Sequence, residues 1–323
     1  MAFHRPKLPQ LSRGDFLTDG GLETTLVFHQ GLDLPCFAAF PLIMSERGKE
    51  ILHDYFRPYL AIARRQGIGF ILDTVTWRAN ADWGAEIGYS ADDLADIQRR
   101  SVAFACHVRD RYTTPSTPIV INGILGPRGD GYRVGARMRP EEAQRYHSAQ
   151  IDVFRDTEAD MVTAMTLTYP EEAIGIVRSA QANGLPVAIS FTVETDGRLP
   201  SGDTLESAIE QVDAATGSGP AYYMINCAHP SHFESVIDAS GAWIERIRGL
   251  RANASELSHA ELDVATELDP GDPAALGGHY RALRQRMKHL CVIGGCCGTD
   301  HTHIQAICEA CAPLDAAPSA ELV

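Results

Sequence analysis

Eight short apolar or β-branched runs recur along the chain, at 16–19, 68–75, 118–123, 161–166, 186–192, 222–226, 246–252 and 290–294. Runs of this length, closed by small or polar residues, read as buried strands. Most are separated by helix-like stretches, at 46–66, 91–112, 140–158, 170–183, 204–215, 232–237 and 273–288. Ser90 precedes Ala91-Asp92-Asp93, and Pro140-Glu141-Glu142 opens the next such stretch. Acidic residues and proline suit a first helical turn. Gly184-Leu185-Pro186 ends a helix and starts a strand. Strands alternating with helices predict an α/β fold, a single closed (β/α)₈ TIM barrel over 1–311, with a loosely held tail over 312–323. A doubly wound open sheet is the runner-up. It would carry a glycine-rich phosphate turn after the first strand, and Gly20-Gly21 does not fit that fingerprint.

The 323 residues are 45% hydrophobic and 22% charged, which suits one large core. A formal charge of -14 argues against a nucleic-acid partner and would suit a cationic small substrate. No apolar run approaches the ~20 residues needed to span a bilayer. The basic stretch 1–14 lacks the apolar core of a secretory signal, so a cytoplasmic location is expected. Oligomeric state, a homo-oligomer included, stays open.

In a reducing cytosol, clustered cysteines point to metal or catalysis more than to disulfides. Gly294-Gly295-Cys296-Cys297-Gly298-Thr299 closes the eighth run, and Cys227 closes the sixth. Adjacent side chains on a strand face opposite ways. Neighbouring sulfurs meet at one point only if the backbone turns, which the flanking glycines would allow. Three thiolates from two strand ends make a zinc site with its fourth position open, the pattern of a catalytic centre. His229, His301 and His303 lie near in sequence, but a fourth protein ligand would fill that position. A redox or structural thiol site is the competing class. It is disfavoured because a disulfide between adjacent cysteines is strained, and 69 positions separate Cys227 from Cys296. Cys36, Cys106, Cys291, Cys308 and Cys311 read as packing or surface thiols.

These motifs resemble the homocysteine S-methyltransferase family over nearly the whole chain. Asp19-Gly20-Gly21-Leu22-Glu23-Thr24 is similar to the family's opening motif. Thr76-Trp77-Arg78-Ala79-Asn80 resembles its Thr-x-x-x-Asn, and Gly123-Ile124-Leu125-Gly126-Pro127 its Gly-x-Leu-Gly-Pro. Asn226-Cys227 and Gly295-Cys296-Cys297-Gly298 match its two zinc-ligand motifs. The resemblance implies zinc on Cys227, Cys296 and Cys297, a small-molecule thiol acceptor and an activated methyl donor. The expected reaction moves a methyl group from a sulfonium or ammonium donor, such as S-methylmethionine, to a thiol. Homocysteine, giving methionine, is the first choice and another thiol the alternative. No catalytic side chain is needed beyond the metal-activated substrate thiol. Asp19, Glu23, Thr76, Trp77 and Asn80 are the substrate-binding candidates; Trp77 and Trp83 read first as packed loop aromatics and second as a cover for a cationic donor. Arg246, Arg248 and Arg251 read as a solvated edge. One departure stands out. Where the family carries Glu-Thr at the end of strand four, this chain has Met165-Thr166. A thioether cannot pair with an ammonium group, so either another carboxylate such as Asp19, Glu23 or Glu194 takes over, or the acceptor is not homocysteine.

Overall fold

A computed structural model describes residues 2–12, 14–237 and 241–311. The tail expected over 312–323 lies outside the described residues. Eight parallel strands close in sequence order into a barrel. They are β1 (Phe16–Leu17), β2 (Gly69–Asp73), β3 (Ile119–Leu125), β4 (Met161–Leu167), β5 (Val187–Phe191), β6 (Tyr222–Asn226), β7 (Ile247–Ala252) and β8 (Val292–Gly295). The helices that follow them are α1 (Glu46–Gln66), α2 (Ala91–Tyr112), α3 (Pro140–Arg155), α4 (Pro170–Ala182), α5 (Leu205–Thr216), α6 (Ala242–Glu245), α7 (Pro273–Arg286) and α8 (His301–Cys311). Ser90 caps α2 in a reciprocal box with Asp93. The stretch expected as one helix at 232–237 divides into a 3₁₀ turn, Pro230–His232, and a short helix, Glu234–Ile237.

The strands alternate with a period of two. Outward residues such as Phe70, Ile121, Val162 and Ile225 pack between sheet and helices. Inward residues Ile71, Val120, Met161, Ala188, Tyr222 and Val292 form a separate apolar cluster inside the barrel, which Leu8 joins from the N-terminal segment. That segment is held from below. Arg5 donates to the carbonyls of Phe154, Arg155, Thr157 and Ala159, and Gln10 donates to the Tyr222 hydroxyl. Toward the C-terminal strand ends the lining turns polar. Thr163 donates to Asn122 at 2.9 Å, and Asn122 donates to Asp73 at 2.7 Å.

β1 is the weak stave. It has two residue pairs with β2 and two with β8. Above it Arg251, on β7, reaches across the interior. It donates to Asp19 beyond β1, Asp73 on β2 and the Gly295 carbonyl on β8, where the last contact is 2.9 Å. Tyr55 donates to the other Asp19 oxygen at 3.0 Å. Arg251 is therefore no solvated edge. It is a buried clamp across four strands, and Arg246 similarly grips Asp213 with two donors.

Candidate active site

At the C-terminal strand ends lies a cavity of about 400 Å³, where barrels of this kind place their chemistry. Cys227, Cys296 and Cys297 line it, with their sulfurs all within 4.8 Å of one another. Cys227 follows β6, and Cys296 and Cys297 follow β8. Cys227 and Cys296 are joined as a disulfide, while Cys297 is a free thiol. The pairing thus crosses between strand ends and does not join the adjacent cysteines. A tetrahedral zinc with bonds of ~2.3 Å needs sulfurs about 3.8 Å apart, and Cys227 Sγ lies 3.9 Å from Cys297 Sγ. The donor set fits zinc, and Cys227 and Cys297 stand at its spacing; Cys296 can join them only once the disulfide is reduced.

The turn that gathers the sulfurs uses one of the flanking glycines, Gly298, and Cys227. Cys227 itself is left-handed, at φ 54°, and Gly298 at φ 79°. Gly294 and Gly295 extend β8 and serve by being small, since a Cβ there would overlap Thr18 Oγ1 or Thr299 Oγ1. Thr166 is also left-handed, at φ 62°, beside a register break between β4 and β5. Such irregularities re-aim groups at strand ends. Asn226 locks this one in place. Its Oδ1 accepts from the Thr166 amide at 2.9 Å and from Ser190 Oγ at 2.6 Å, and its Nδ2 donates to Thr166 Oγ1 at 2.8 Å.

The sequence of the homocysteine S-methyltransferase family matches residues 16–311. The chain belongs to that family. It is a methyltransferase by that membership. The family member from Zea mays named homocysteine S-methyltransferase 4 is 23% identical, over 92% of this chain and 89% of its own length. Betaine–homocysteine S-methyltransferase 1 of Bos taurus is 27% identical, over 53% of this chain and 44% of its own. The homocysteine methyltransferase MmuM of Escherichia coli shares the fold at 18% identity. Its oxidised form has a TM-score of 0.71, covering 92% of this chain and 96% of that one. Its metallated form scores 0.70, covering 94% and 98%. No helix among the described residues is long and apolar enough to cross a membrane.

Against the family's motifs, the candidate residues divide. Asp19, Glu23 and Trp77 line the cavity. Thr76 and Asn80 are buried and hold the loop together instead. Thr76 donates to the Ile124 carbonyl at 2.7 Å. Asn80 caps the helix Ala81–Ile87, accepts from the Tyr146 hydroxyl and donates to the Pro127 carbonyl. Their polar atoms are thus committed within the protein, away from the cavity wall. Trp77 and Trp83 each have one ring face taken by the Arg78 guanidinium, 4.6 Å and 3.9 Å from their ring centroids. Met165 lines the cavity where the family's glutamate is missing. Of its three possible substitutes, Asp19 is held by Arg251 and Tyr55, and Glu194 lies beside His259 at 3.2 Å. Glu23 has no salt-bridge partner among the described residues and stands in the cavity.

Burial pushes the Glu23 carboxyl up to about 7, with Asp19 adding to the rise and Arg78 and Arg251 opposing it. A raised carboxyl pKa means that the folded state holds the proton more tightly than the unfolded chain. That contribution is complete below the ordinary value of 4.5 and is lost as pH rises to about 7. Glu23→Gln should therefore flatten the fall in thermal midpoint between pH 5 and pH 7.5 in the metal-free protein. The difference should be about 1–2 kcal/mol, reduced because the side chain is only half-buried. Parallel profiles for the two proteins would refute the assignment.

Sequence reasoning missed Tyr132 and His259, which carry no local motif. The Tyr132 ring stacks on His259 at 4.1 Å, and its hydroxyl lies 3.6 Å from Cys297 Sγ. His259 Nε2 is 2.7 Å from the Cys227 carbonyl. A carbonyl only accepts, so that nitrogen carries the proton. His229 does not join the sulfurs. Its ligand atom instead gathers with those of Glu256 and His279 within 4.8 Å.

Proposed function

We propose that this family member is a zinc-dependent thiol methyltransferase, moving a methyl group from a sulfonium or quaternary ammonium donor to a small thiol, with homocysteine the first candidate. The observation that supports it most is the meeting of three cysteine sulfurs in the cavity wall, with Cys227 and Cys297 at zinc-like spacing. Zinc held there would deprotonate a thiol at its open position and keep that sulfur nucleophilic.

The chain's own residues do the rest. Cys227, Cys296 and Cys297 form the corner, where Asn226 Nδ2 lies 3.9 Å from Cys296 Sγ and His259 holds the Cys227 carbonyl. Glu23 supplies a carboxyl in the same cavity that a bound cation would draw into its ionised form, which favours an onium donor over its neutral product. Leu22, Val75, Ile124 and Met165 make an apolar wall that limits water around the reacting sulfur. The reaction then needs sulfur, methyl and leaving group in line, which a confined cavity favours. Met165 supports a second reading, in which the acceptor is a thiol without an ammonium group at that wall.

The test is a panel of thiols, each offered with S-methylmethionine and with betaine, using reduced protein before and after zinc chelation. Methyl transfer that disappears on chelation and returns with zinc is the expected result. Turnover with another thiol but not homocysteine favours the second reading. Undiminished turnover in zinc-free protein, or none with any pair, defeats both.

A further inference from the structure

The cavity contains two arginines that differ in how fully they are used. Arg251 donates to Asp19, Asp73, Gly20 and Gly295. Arg78 lines the same cavity and feels the charges of Asp130 and Glu23, yet among the described residues it has neither a hydrogen-bond acceptor nor a salt-bridge partner, and its Nε is buried without one. Leaving a buried donor unmade costs about 1–3 kcal/mol, so such a group calls for an explanation.

Its position is built, not incidental. The guanidinium lies against Trp83 and Trp77. Trp83 is pinned by its indole N–H to the Gly129 carbonyl at 3.0 Å. Trp77 is backed by Gly131, where a Cβ would come within 3.2 Å of the ring. The two indole rings hold the guanidinium carbon in place, and with Nε enclosed the terminal nitrogens are the donors left for a ligand. A planar fork of donors matches a carboxylate, which can accept two parallel bonds. The cavity also holds Glu23 and the cysteine corner, both suited to positive charge. The pattern is that of a zwitterion bound at both ends.

We infer that Arg78 is the receptor for a substrate carboxylate, so that this enzyme selects zwitterionic substrates and discriminates against onium or thiol compounds lacking an acid group. The inference rests on the methyl-transfer reading; S-methylmethionine, betaine and homocysteine all carry a carboxylate, and the experiment distinguishes which reactant Arg78 holds.

The experiment uses the reduced zinc enzyme, its Arg78→Gln variant and its Arg78→Lys variant, which keeps the charge but loses the fork. Thermal midpoints establish that each is folded. KM is measured for homocysteine against its carboxamide, for S-methylmethionine against its carboxamide, and for betaine against choline. Tryptophan fluorescence titration with the same compounds reports binding without turnover, so it still reads Arg78 if no methyl transfer is found. The expected result is a 10- to 100-fold weakening for one reactant in Arg78→Gln, with less change in kcat. For that reactant, the wild type should favour the acid over its carboxamide by a similar factor, and Arg78→Gln should show no such preference. The reactant that responds identifies the source of the carboxylate. Changes below about twofold for both reactants, or an acid preference that survives in Arg78→Gln, would overturn the inference.

Discussion

Cys296→Ser should leave a folded protein that binds no zinc and transfers methyl groups about a thousandfold more slowly. Metal activation contributes several kcal/mol to a reaction of this kind, and each 1.36 kcal/mol is tenfold in rate. A serine hydroxyl is a poor substitute for a thiolate on zinc. The barrel should survive, because Cys296 follows β8 in a loop and lies outside both apolar clusters. Cys227→Ser should behave in the same way. Cys106→Ser, outside the cavity, supplies the control, with zinc content and rate unchanged. Metal analysis of reduced protein, read beside the rate, is the decisive pair of measurements. A Cys296→Ser protein that holds zinc and turns over near the wild-type rate would remove the proposed corner.

Arg251→Met should cost about 3–5 kcal/mol, because it strands two carboxylates in the interior without their cation. For a chain of this size that is roughly a 10 °C drop in thermal midpoint. The effect should shrink as pH falls. Burial already pushes the Asp73 carboxyl up, with Arg251 opposing it. Without the arginine, protonation becomes the remaining way to relieve the repulsion with Asp19. Adding Asp73→Asn to Arg251→Met should therefore recover part of the loss at neutral pH. Thermal scans at pH 5 and pH 7.5 suffice. A loss below about 1 kcal/mol at both would mean that the clamp contributes little and that the two pairs of residues on each side of β1 close the barrel unaided.

The barrel could be read from the chain because its strands are short apolar runs and its helices have ordinary caps, as at Ser90 and Asp93. The three sulfurs could be read because cysteines are scarce and their glycine-flanked spacing is distinctive. What escaped depends on contacts between distant segments. Arg251 looks like any charged residue near a strand end until β1, β2 and β8 bring Asp19, Asp73 and Gly295 to it. Tyr132 and His259 are 127 positions apart and meet only in the folded rim. Trp77 has a second reading as a cover for a donor cation, yet the residue beside it supplies the cation. Thr76 and Asn80 have the polarity of ligand-binding residues, and only the loop geometry shows that polarity consumed.

Leu8 and the inward apolar cluster stop the floor of the barrel. The reaction chamber is therefore a blind well, with no passage out through the bottom. Both reactants must enter, and both products leave, by the upper rim. The sulfurs at the strand ends are therefore reached over the rim loops and not along the barrel axis.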